Sequence, residues 1–450
     1  MLTNQARMVT EVPGPRSRRL VREESAHLAP GLHSISHYSG IAVDHGEGVA
    51  IVDLDGNRYI DFAAGVAVAS LGHGHRGYQQ ALAEQAGAIS VGSYTSPARA
   101  EYVSRLTGFT PPGLDHVQFY SGGAEAVEAA LRLARSYTGR YEVISFWGGF
   151  HGKTGGTIGL SDGNTKRGLG PLAVGQYSVP FPDIDRNPFP GTTPEECAER
   201  CLSFLRETIK RNTTGSVAAI IVEPVQGTAG NVVPPPNFLP GVRQVADETG
   251  ALFVADEMIT GFGRTGRMFG MEHEAVWPDV MILGKGIANG YPMAALVSSE
   301  ARCSAAPFGL PSGSSSTYGG NPLAAAAALA TLNAIESQRL VENSARVGEV
   351  MLERLRGLTD RFAFVGAVRG RGLLIGIDLV ADRKTMAPLP DSLTRRIFQE
   401  ALSRGLWAMC YGPRIRINPP LIMDETTALE GIAILEEAFV AVAREIGGAG

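Results

Sequence analysis

The chain has 450 residues, of which 44% are hydrophobic and 19% are charged. This length and apolar content are typical of a soluble globular protein with roughly two or three domains. The formal net charge of -5 shows no strong bias, and the sequence has no basic stripe or acidic tail. We therefore expect a small molecule as partner, and neither nucleic acid nor a membrane.

The cysteines and the apolar runs argue against a disulfide-rich, a metal-binding or a membrane-spanning protein. Four cysteines stand at positions 197, 201, 303 and 410, with no CxxC pair and no histidines at zinc spacing. Neither a disulfide framework nor a metal site is predicted, and a reducing, cytoplasmic setting is expected. Cys197 and Cys201 are one helical turn apart, and we interpret them as helix residues rather than as a metal clip. No apolar run is long enough to cross a bilayer.

The N-terminal segments are short. Residues 1–40 are predicted to form an arm that wraps a partner subunit; their arginines are weakly typical of a targeting segment, but glutamates and prolines intervene. Residues 41–65 contain "GVAIVDLDGNRYIDF", which predicts a hairpin with its turn at Asp55 and Gly56. We assign this hairpin to the smaller of two domains.

Residues 66–334 are predicted to form a large domain. Short apolar runs alternate with amphipathic stretches, which indicates a mostly parallel α/β sheet. The strand candidates are "YEVISFWG", "VAAIIVEPV", "LFVADEM" and "VMILGK". The clearest helix is "SGGAEAVEAALRLARSYTG", where Ala and Leu recur every three or four residues and Gly139 ends the pattern.

Residues 335–450 are predicted to form a smaller α+β domain. It contains a hairpin-like segment "VRGRGLLIGIDLV", a strand in "PRIRINPPL" and a final helix from about Asp424. One apolar stripe on that helix is predicted to pack on a core. Its members are Leu429, Ile432, Leu435, Phe439, Val442 and Ile446.

Three charged residues follow strand candidates in the large domain: Lys285, Glu223 and Asp256. Ligands of open α/β sheets bind at the carboxyl ends of strands. A partly desolvated lysine amine can act as a nucleophile toward an aldehyde and form a Schiff base. On the lysine alone, a side chain that reaches the surface or pairs with an acid is the simpler interpretation.

The glycine-rich helix entry "SGGAEA" adds a second element. The backbone N–H groups of Gly122, Gly123 and Ala124 are expected to be free at the positive end of the helix dipole, which suits a phosphate, although a plain tight turn has the same appearance. An amine, a carboxylate and an anion cradle in one α/β domain match pyridoxal 5'-phosphate (PLP). We therefore predict PLP as the cofactor.

From about residue 40 to the C-terminus the chain resembles the class III aminotransferases, the ω-amino-acid branch of the fold type I PLP enzymes. The segments that carry the resemblance occur in the family's order: "FYSGGAEAVEAALRLAR", "GGFHGKTGG", "IIVEPVQG", "VADEMITGFGRTG", "LGKGIANGYP" and "STYGGNPLAAAAAL". The resemblance implies a large domain with a mostly parallel seven-stranded sheet, and a smaller α+β domain built from the N- and C-terminal segments.

The resemblance also implies catalytic roles. Lys285 would hold the cofactor and then move a proton as general acid and base. Asp256 would pair with the pyridine nitrogen, so that the ring withdraws electrons. Gly123 and Ala124 would contact the phosphate, and Thr317 would reach the phosphate bound by the neighbouring subunit. A homodimer with sites at its interface, or a dimer of dimers, is therefore expected.

Further residues match positions around the ring. Phe150 would stack on the pyridine, with Met258 on its opposite face. His151 is expected either to orient the site or to be a structural histidine. Glu223 and Gln226 match residues close to the cofactor. Arg264, in "GFGRTG", is interpreted as structural.

At the motif positions that bind substrate, the chain differs from the 4-aminobutyrate aminotransferase branch of the family. Arg416 matches the arginine that binds a substrate carboxylate, and Arg414 is either its helper or a solvent-facing charge. Thr228 stands where that branch has a glutamate, and Ile259 replaces a glutamine.

We predict an aminotransferase with a ping-pong mechanism, whose donor is an ω-amine or an amino acid such as glutamate or alanine. The acceptor is an oxo acid or an aldehyde, and an ω-amino acid, a diamine and an antibiotic amino sugar are candidate substrates. Racemisation, epimerisation and decarboxylation by the same fold are the alternatives.

Overall fold

A computed structural model describes residues 5–447, which alternate strands and helices along the chain. The strands are β1 (Val43–Glu47), β2 (Ala50–Asp53), β3 (Arg58–Asp61), β4 (His116–Tyr120), β5 (Glu142–Phe146), β6 (Gln176–Val179), β7 (Val217–Val222), β8 (Leu252–Asp256), β9 (Val280–Leu283), β10 (Ala294–Ser298), β11 (Val365–Arg371), β12 (Leu374–Asp382), β13 (Ala387–Pro388), β14 (Leu406–Trp407) and β15 (Arg414–Ile417). The helices are α1 (Pro15–Ser25), α2 (Ser34–Ser39), α3 (Ala64–Ala67), α4 (Arg76–Ala88), α5 (Pro97–Thr107), α6 (Gly123–Thr138), α7 (Gly163–Lys166), α8 (Pro194–Asn212), α9 (Phe238–Thr249), α10 (Glu300–Cys303), α11 (Pro322–Ser337), α12 (Leu340–Arg356), α13 (Leu358–Arg361), α14 (Asp391–Ser403) and α15 (Glu425–Gly447).

The chain divides into two compact units. The large unit comprises Gly77–Gly263 and Arg267–Ala334, and the small unit comprises the residues up to Arg76, those from Ile335 onward, and Arg264–Gly266. We call this last segment the RTG tripeptide. The sequence predicts boundaries after residues 40, 65 and 334, whereas the division here lies after residues 76 and 334 and moves the tripeptide into the small unit.

The large unit is built on a seven-stranded sheet in the order β4-β10-β9-β8-β7-β5-β6. The strands from β9 to β6 run parallel, and β10 pairs antiparallel with both β9 and β4. The predicted mostly parallel seven-stranded sheet is therefore confirmed. Such a sheet collects the carboxyl ends of β7, β8 and β9 at one edge.

Both faces of this sheet are covered, which explains the unbroken apolar runs of its strands. In β7, Ala219 and Ile221 belong to the core that contains the buried face of α6, while Ile220 and Val222 belong to the core that contains the buried faces of α8 and α9. Helix α6 ends at Gly139, whose φ of 67° is left-handed, as the sequence predicts.

The small unit has two sheets. The first has the order β1-β2-β3-β14, and its β2–β3 hairpin turns where Gly56 donates its N–H to the carbonyl of Asp53 at 3.0 Å. The second joins β11, β12 and β13, with β15 on the other side of β12. Both predicted hairpins are therefore present.

The stripe predicted on the last helix is only partly correct. Ile432, Leu435, Phe439 and Val442 are buried, but Leu429 and Ile446 are 36% and 41% exposed. The small side chain of Ala428 occupies the buried position one turn before Ile432. The buried face is therefore shifted by one residue at this end, and Ile446 lies beyond it in the last turn.

Candidate active site

Lys285 and Asp256 come from neighbouring strands of the large unit. β8 ends at Asp256, which pairs with Ile282 of β9, and Lys285 follows the end of β9 after Gly284. Lys285 has a φ of 45°, an uncommon left-handed value for a residue with a side chain. The amine and the carboxylate therefore lie at the same edge of the sheet, one of them on a strained backbone of the kind found at functional sites.

Met258 links this edge to the start of α6. A Cβ placed on Gly284 would lie 2.1 Å from the Met258 sulfur, and one placed on Gly123 would lie 3.1 Å from it. The methionine side chain therefore contacts both the backbone before Lys285 and the first turn of α6. It also supplies the reason for glycine at position 284, since a larger residue there would displace Met258.

The N-terminus of α6 has the geometry that suits an anion, but one predicted N–H group is not available. Glu125 Oε2 accepts hydrogen bonds from the N–H groups of Ser121 (2.9 Å) and Gly122 (3.1 Å). The prediction that the Gly122 N–H is free is therefore wrong, because the side chain at the third helical position folds back onto it. Gly123 and Ala124 lie in the first turn, where N–H groups have no intrahelical acceptor, and they remain suited to a phosphate.

The segment that follows β5 packs against the same helix entry. A Cβ on Gly152 would lie 2.7 Å from the Cβ of Ala124, so His151 and its neighbours are held beside the first turn of α6. Phe150 is half-buried, and Lys153 Nζ lies 5.9 Å from the centre of its ring. The segment that carries Phe150 and His151 therefore lies beside the first turn of α6.

The His151 side chain is hydrogen-bonded to Asp256. Its Nδ1 lies 2.7 Å from Asp256 Oδ2, with both side chains almost fully buried. An ionised carboxylate only accepts, so Nδ1 donates. Burial lowers the pKa of His151, but the hydrogen bond to Asp256 and the charges of Asp256 and Glu223 outweigh it, and the pKa is raised above its ordinary value. Of the two predicted roles, the orienting one fits this geometry.

Asp256 keeps capacity for a further donor. Its Oδ1 accepts the N–H of Met258 at 3.1 Å, and its Oδ2 accepts the His151 proton. A carboxylate offers about four lone-pair positions, so two such bonds leave room for a protonated ring nitrogen.

Glu223 bridges two backbone segments near this pair. Its Oε1 accepts the N–H of Phe150 at 2.9 Å, and its Oε2 accepts the N–H of Gly227 at 3.0 Å. Burial raises the pKa of Glu223, the charge of Asp256 raises it further, and the charge of His151 and the two N–H groups oppose the rise. Glu223 therefore fixes the segments that carry Phe150 and the loop after β7.

That loop is held at several points. Gln226 donates its side-chain amide to the carbonyl of Trp147 at 2.9 Å and pairs its backbone with Val232. Ile259 is buried, and a Cβ on Gly227 would meet its Cδ1 at 2.8 Å. Thr228 at the tip is exposed. Ile259 therefore supports the loop through apolar contact, which a glutamine would not provide in the same way.

The remaining predicted residues come from other segments of the chain. Thr317 is exposed and lines a cavity of about 480 Å³ together with Glu128 and Thr154. Arg416 and Arg414 lie on β15 of the small unit, where Arg414 Nε is 3.9 Å from the buried Asp378. Arg414 is thus paired with a carboxylate rather than facing solvent alone.

Two carboxylates that the sequence did not single out shape the site. Glu125 caps α6, and its position three residues after Gly122 was the available signal. Glu257, next to Asp256, accepts hydrogen bonds from Thr260 and from the N–H groups of Gly270 and Met271.

Comparison with known proteins identifies the family. Residues 34–439 match the model of the class III aminotransferases. The chain belongs to the class III aminotransferase family. It is 34% identical to an alanine/serine racemase of Pyrococcus horikoshii over 98% of this chain and 94% of that protein. It is also 34% identical to a 4-aminobutyrate aminotransferase of Mycobacterium leprae, over 95% and 96% of the two chains.

A solved structure extends the likeness to the fold. An amine transaminase from an uncultivated Pseudomonas species, determined with PLP bound, matches with a TM-score of 0.87 and 35% identity, over 92% of this chain and 98% of that one. The class III aminotransferase described here is therefore a fold type I enzyme, and its cofactor is PLP.

The residues present fit that cofactor. An amine, a carboxylate with open lone pairs, and a helix N-terminus match the aldehyde, ring nitrogen and phosphate of PLP. Among the described residues, no cluster of His, Cys, Asp and Glu is suited to a metal ion, and none of the helices is long and apolar enough to span a membrane.

Proposed function

We propose that the edge formed by Lys285 and Asp256 is the PLP site, and that this aminotransferase moves an amino group from an amino donor to an oxo or aldehyde acceptor in a ping-pong reaction. The observation that carries the proposal is the contact of Met258 with both Gly123 and Gly284. That contact brings the anion site at α6 within one side chain of the residue before Lys285.

When bound, PLP supplies an aldehyde for the amine and a ring that stabilises negative charge on the adjacent carbon. Lys285 Nζ would hold the cofactor and would also move a proton to and from the reacting carbon of the substrate. Asp256 would keep the ring nitrogen of the cofactor protonated. His151 and the Met258 N–H hold the Asp256 carboxylate in place, so that it needs no rearrangement during the reaction.

Arg416 is proposed to bind the carboxylate of an amino or oxo acid. The support is comparative: Arg414, on the same face of β15, is drawn toward Asp378, while the position of Arg416 matches the carboxylate-binding arginine in the family motif. With Thr228 in place of the glutamate, we propose a substrate other than 4-aminobutyrate. An ω-amino acid, a diamine or an amino sugar with glutamate or alanine as donor fits this departure.

A homodimer is proposed as the working form. Every residue of α4, which lies wholly in the described part of the chain, is at least partly exposed. Ile89, Val91 and Tyr94, in the loop that follows α4, are 47%, 53% and 69% exposed. Exposed apolar residues of this kind support a partner surface, and Thr317 is proposed to reach the phosphate of that partner. Light scattering at micromolar concentration should give twice the monomer mass; a monomeric holoenzyme would contradict the proposal.

Racemisation is the second candidate, because a relative of equal identity over nearly the whole chain is an alanine/serine racemase. The two functions differ in their product. Incubation with a single enantiomer of an amino acid, in the absence of an acceptor, forms at most one equivalent of oxo acid per site in a transaminase. A racemase inverts the amino acid over many turnovers without oxo acid.

The test of the main proposal is spectroscopic. Purified holoenzyme should absorb in the visible range, lose that absorption on adding an amino donor, and regain it with pyruvate or 2-oxoglutarate. Lys285→Ala should bind PLP without a covalent link and should not turn over. A wild-type protein whose absorbance does not respond to any amine would refute the proposal.

A further inference from the structure

The RTG tripeptide is held inside the small unit by its first side chain. Arg264 is 2% exposed, and its Nη1 donates to the carbonyl of Leu373 at 3.2 Å and to the carbonyl of Pro419. Leu373 directly precedes β12, and Pro419 lies two residues after β15. These two strands pair with each other, and Arg416 is part of that ladder. One guanidinium therefore joins the start of β12 to the segment just after Arg416.

The backbone of the tripeptide is fixed as well. The carbonyl of Arg264 accepts the N–H of Leu373 at 3.0 Å and the hydroxyl of Ser344 at 2.9 Å. Gly372 has a φ of 53°, and a Cβ there would lie 2.5 Å from the carbonyl carbon of Thr265. The turn between β11 and β12 thus packs directly on the tripeptide backbone, which only glycine allows.

The charge of Arg264 is costly to bury at this place. Burial lowers the pKa of Arg264 to about 9, and Asp61 opposes that fall, so the guanidinium remains charged at neutral pH. Within residues 5–447, its Nη2 is buried without a hydrogen-bond partner. Carbonyl oxygens compensate a buried charge incompletely. What a planar guanidinium does provide is a rigid fork, which sets the relative positions of the groups it binds.

We propose that Arg264 is a positioning residue for substrate recognition: it fixes the segment after β15 and thereby the orientation of Arg416 toward a substrate carboxylate. The inference rests on the role proposed above for Arg416. It assigns to the arginine of the "GFGRTG" motif a function in specificity beyond its structural one.

The experiment compares two donors in the donor half-reaction of the holoenzyme, followed by the cofactor absorbance in single turnovers. One donor is L-alanine or L-glutamate, and the other is a primary alkylamine without a carboxylate. Arg264→Gln should weaken binding of the amino acid about 10-fold, because a small displacement of a recognition group is enough for that effect. Binding of the alkylamine should change less than about 2-fold, since that donor makes no contact of this kind.

The variant Arg416→Ala tests the proposed role of Arg416 separately from that of Arg264. If it fails to weaken amino-acid binding selectively, then the role of Arg416 is wrong, and the inference about Arg264 is wrong with it. If Arg416→Ala is selective while Arg264→Gln affects both donors equally, or neither, then only the inference about Arg264 is overturned.

Two further variants guard against a folding defect. Ser344→Ala keeps Arg264 but removes one bond to its carbonyl, and it should weaken amino-acid binding selectively by about 3-fold. Arg383 is the matched control, because it also donates to two carbonyls of the small unit, those of Thr359 and Phe362, but is exposed. Arg383→Gln should leave the binding of both donors unchanged. If Arg383→Gln weakened binding of the amino acid as selectively as Arg264→Gln does, the inference would be contradicted.

Discussion

Two neighbouring carboxylates at the end of β8 lie in opposite surroundings. Asp256 accepts two hydrogen bonds, one of them from the buried His151, and this leaves lone pairs of its carboxylate open. Glu257 is equally buried, but it accepts three hydrogen bonds, from the Thr260 hydroxyl and from two backbone N–H groups. Successive residues of a strand point to opposite faces. We therefore propose that Asp256 serves the chemistry and that Glu257 serves the fold.

The largest effect on activity is expected from Asp256→Asn. An amide cannot keep the ring nitrogen protonated, so kcat/KM should fall by about 10³-fold, or about 4 kcal/mol. The midpoint of urea unfolding should change far less, since Asn keeps an acceptor for the Met258 N–H. Steady-state kinetics and urea titration on one preparation check both parts.

Glu257→Ala should show the reverse pattern. It leaves three buried donors without their acceptor, and the free energy of unfolding should fall by about 3 kcal/mol or more. Activity per folded molecule should stay within about 3-fold of wild type. If the Glu257→Ala protein were folded and stable but lost as much activity as Asp256→Asn, the contrast between the two carboxylates would be wrong.

The pH dependence of stability should also follow Glu257. Burial raises the pKa of Glu257 to about 7, although Thr260 and the Met271 and Gly270 N–H groups oppose the rise. The folded state therefore binds this proton more tightly than the unfolded state, whose pKa is near 4.5. The stabilisation is complete below about pH 4.5 and is lost as the pH rises through about 7.

The Glu257→Gln variant isolates this contribution. Relative to wild type, its free energy of unfolding should improve by on the order of 3 kcal/mol between pH 4.5 and pH 8. Urea unfolding at fixed protein concentration across that range measures the difference. A difference that does not vary with pH would show that Glu257 does not titrate in this window.

A smaller effect is expected at His151. His151→Asn removes a charge-assisted hydrogen bond to Asp256 but leaves the carboxylate itself, so kcat should fall about 10-fold. If His151 were only structural, unfolding would shift without a change in the visible spectrum of bound PLP. A changed spectrum together with a modest kcat loss supports the orienting role.

The sequence predicts the strand ends well because they depend on local pattern. Apolar runs that are buried on both faces end at Asp256 and just before Gly284 and Lys285, and the glycine-rich start of α6 is equally local. The Gly122 N–H was predicted wrongly because its partner, the Glu125 side chain, depends on a rotamer choice. The packing of Met258 against Gly284 is likewise a contact between segments that are distant in sequence, so no local pattern predicts it. Roles that need a second chain or a substrate, at Thr317 and Arg416, stay predictions.

The central claim is that Lys285 carries the cofactor beside Asp256. Borohydride reduction of the holoenzyme, followed by peptide mass mapping, tests it most directly. We expect a phosphopyridoxyl group on the peptide that contains Lys285, and its absence after pretreatment with an amino donor. Modification of another lysine, or none in a preparation that turns over donor, would contradict it.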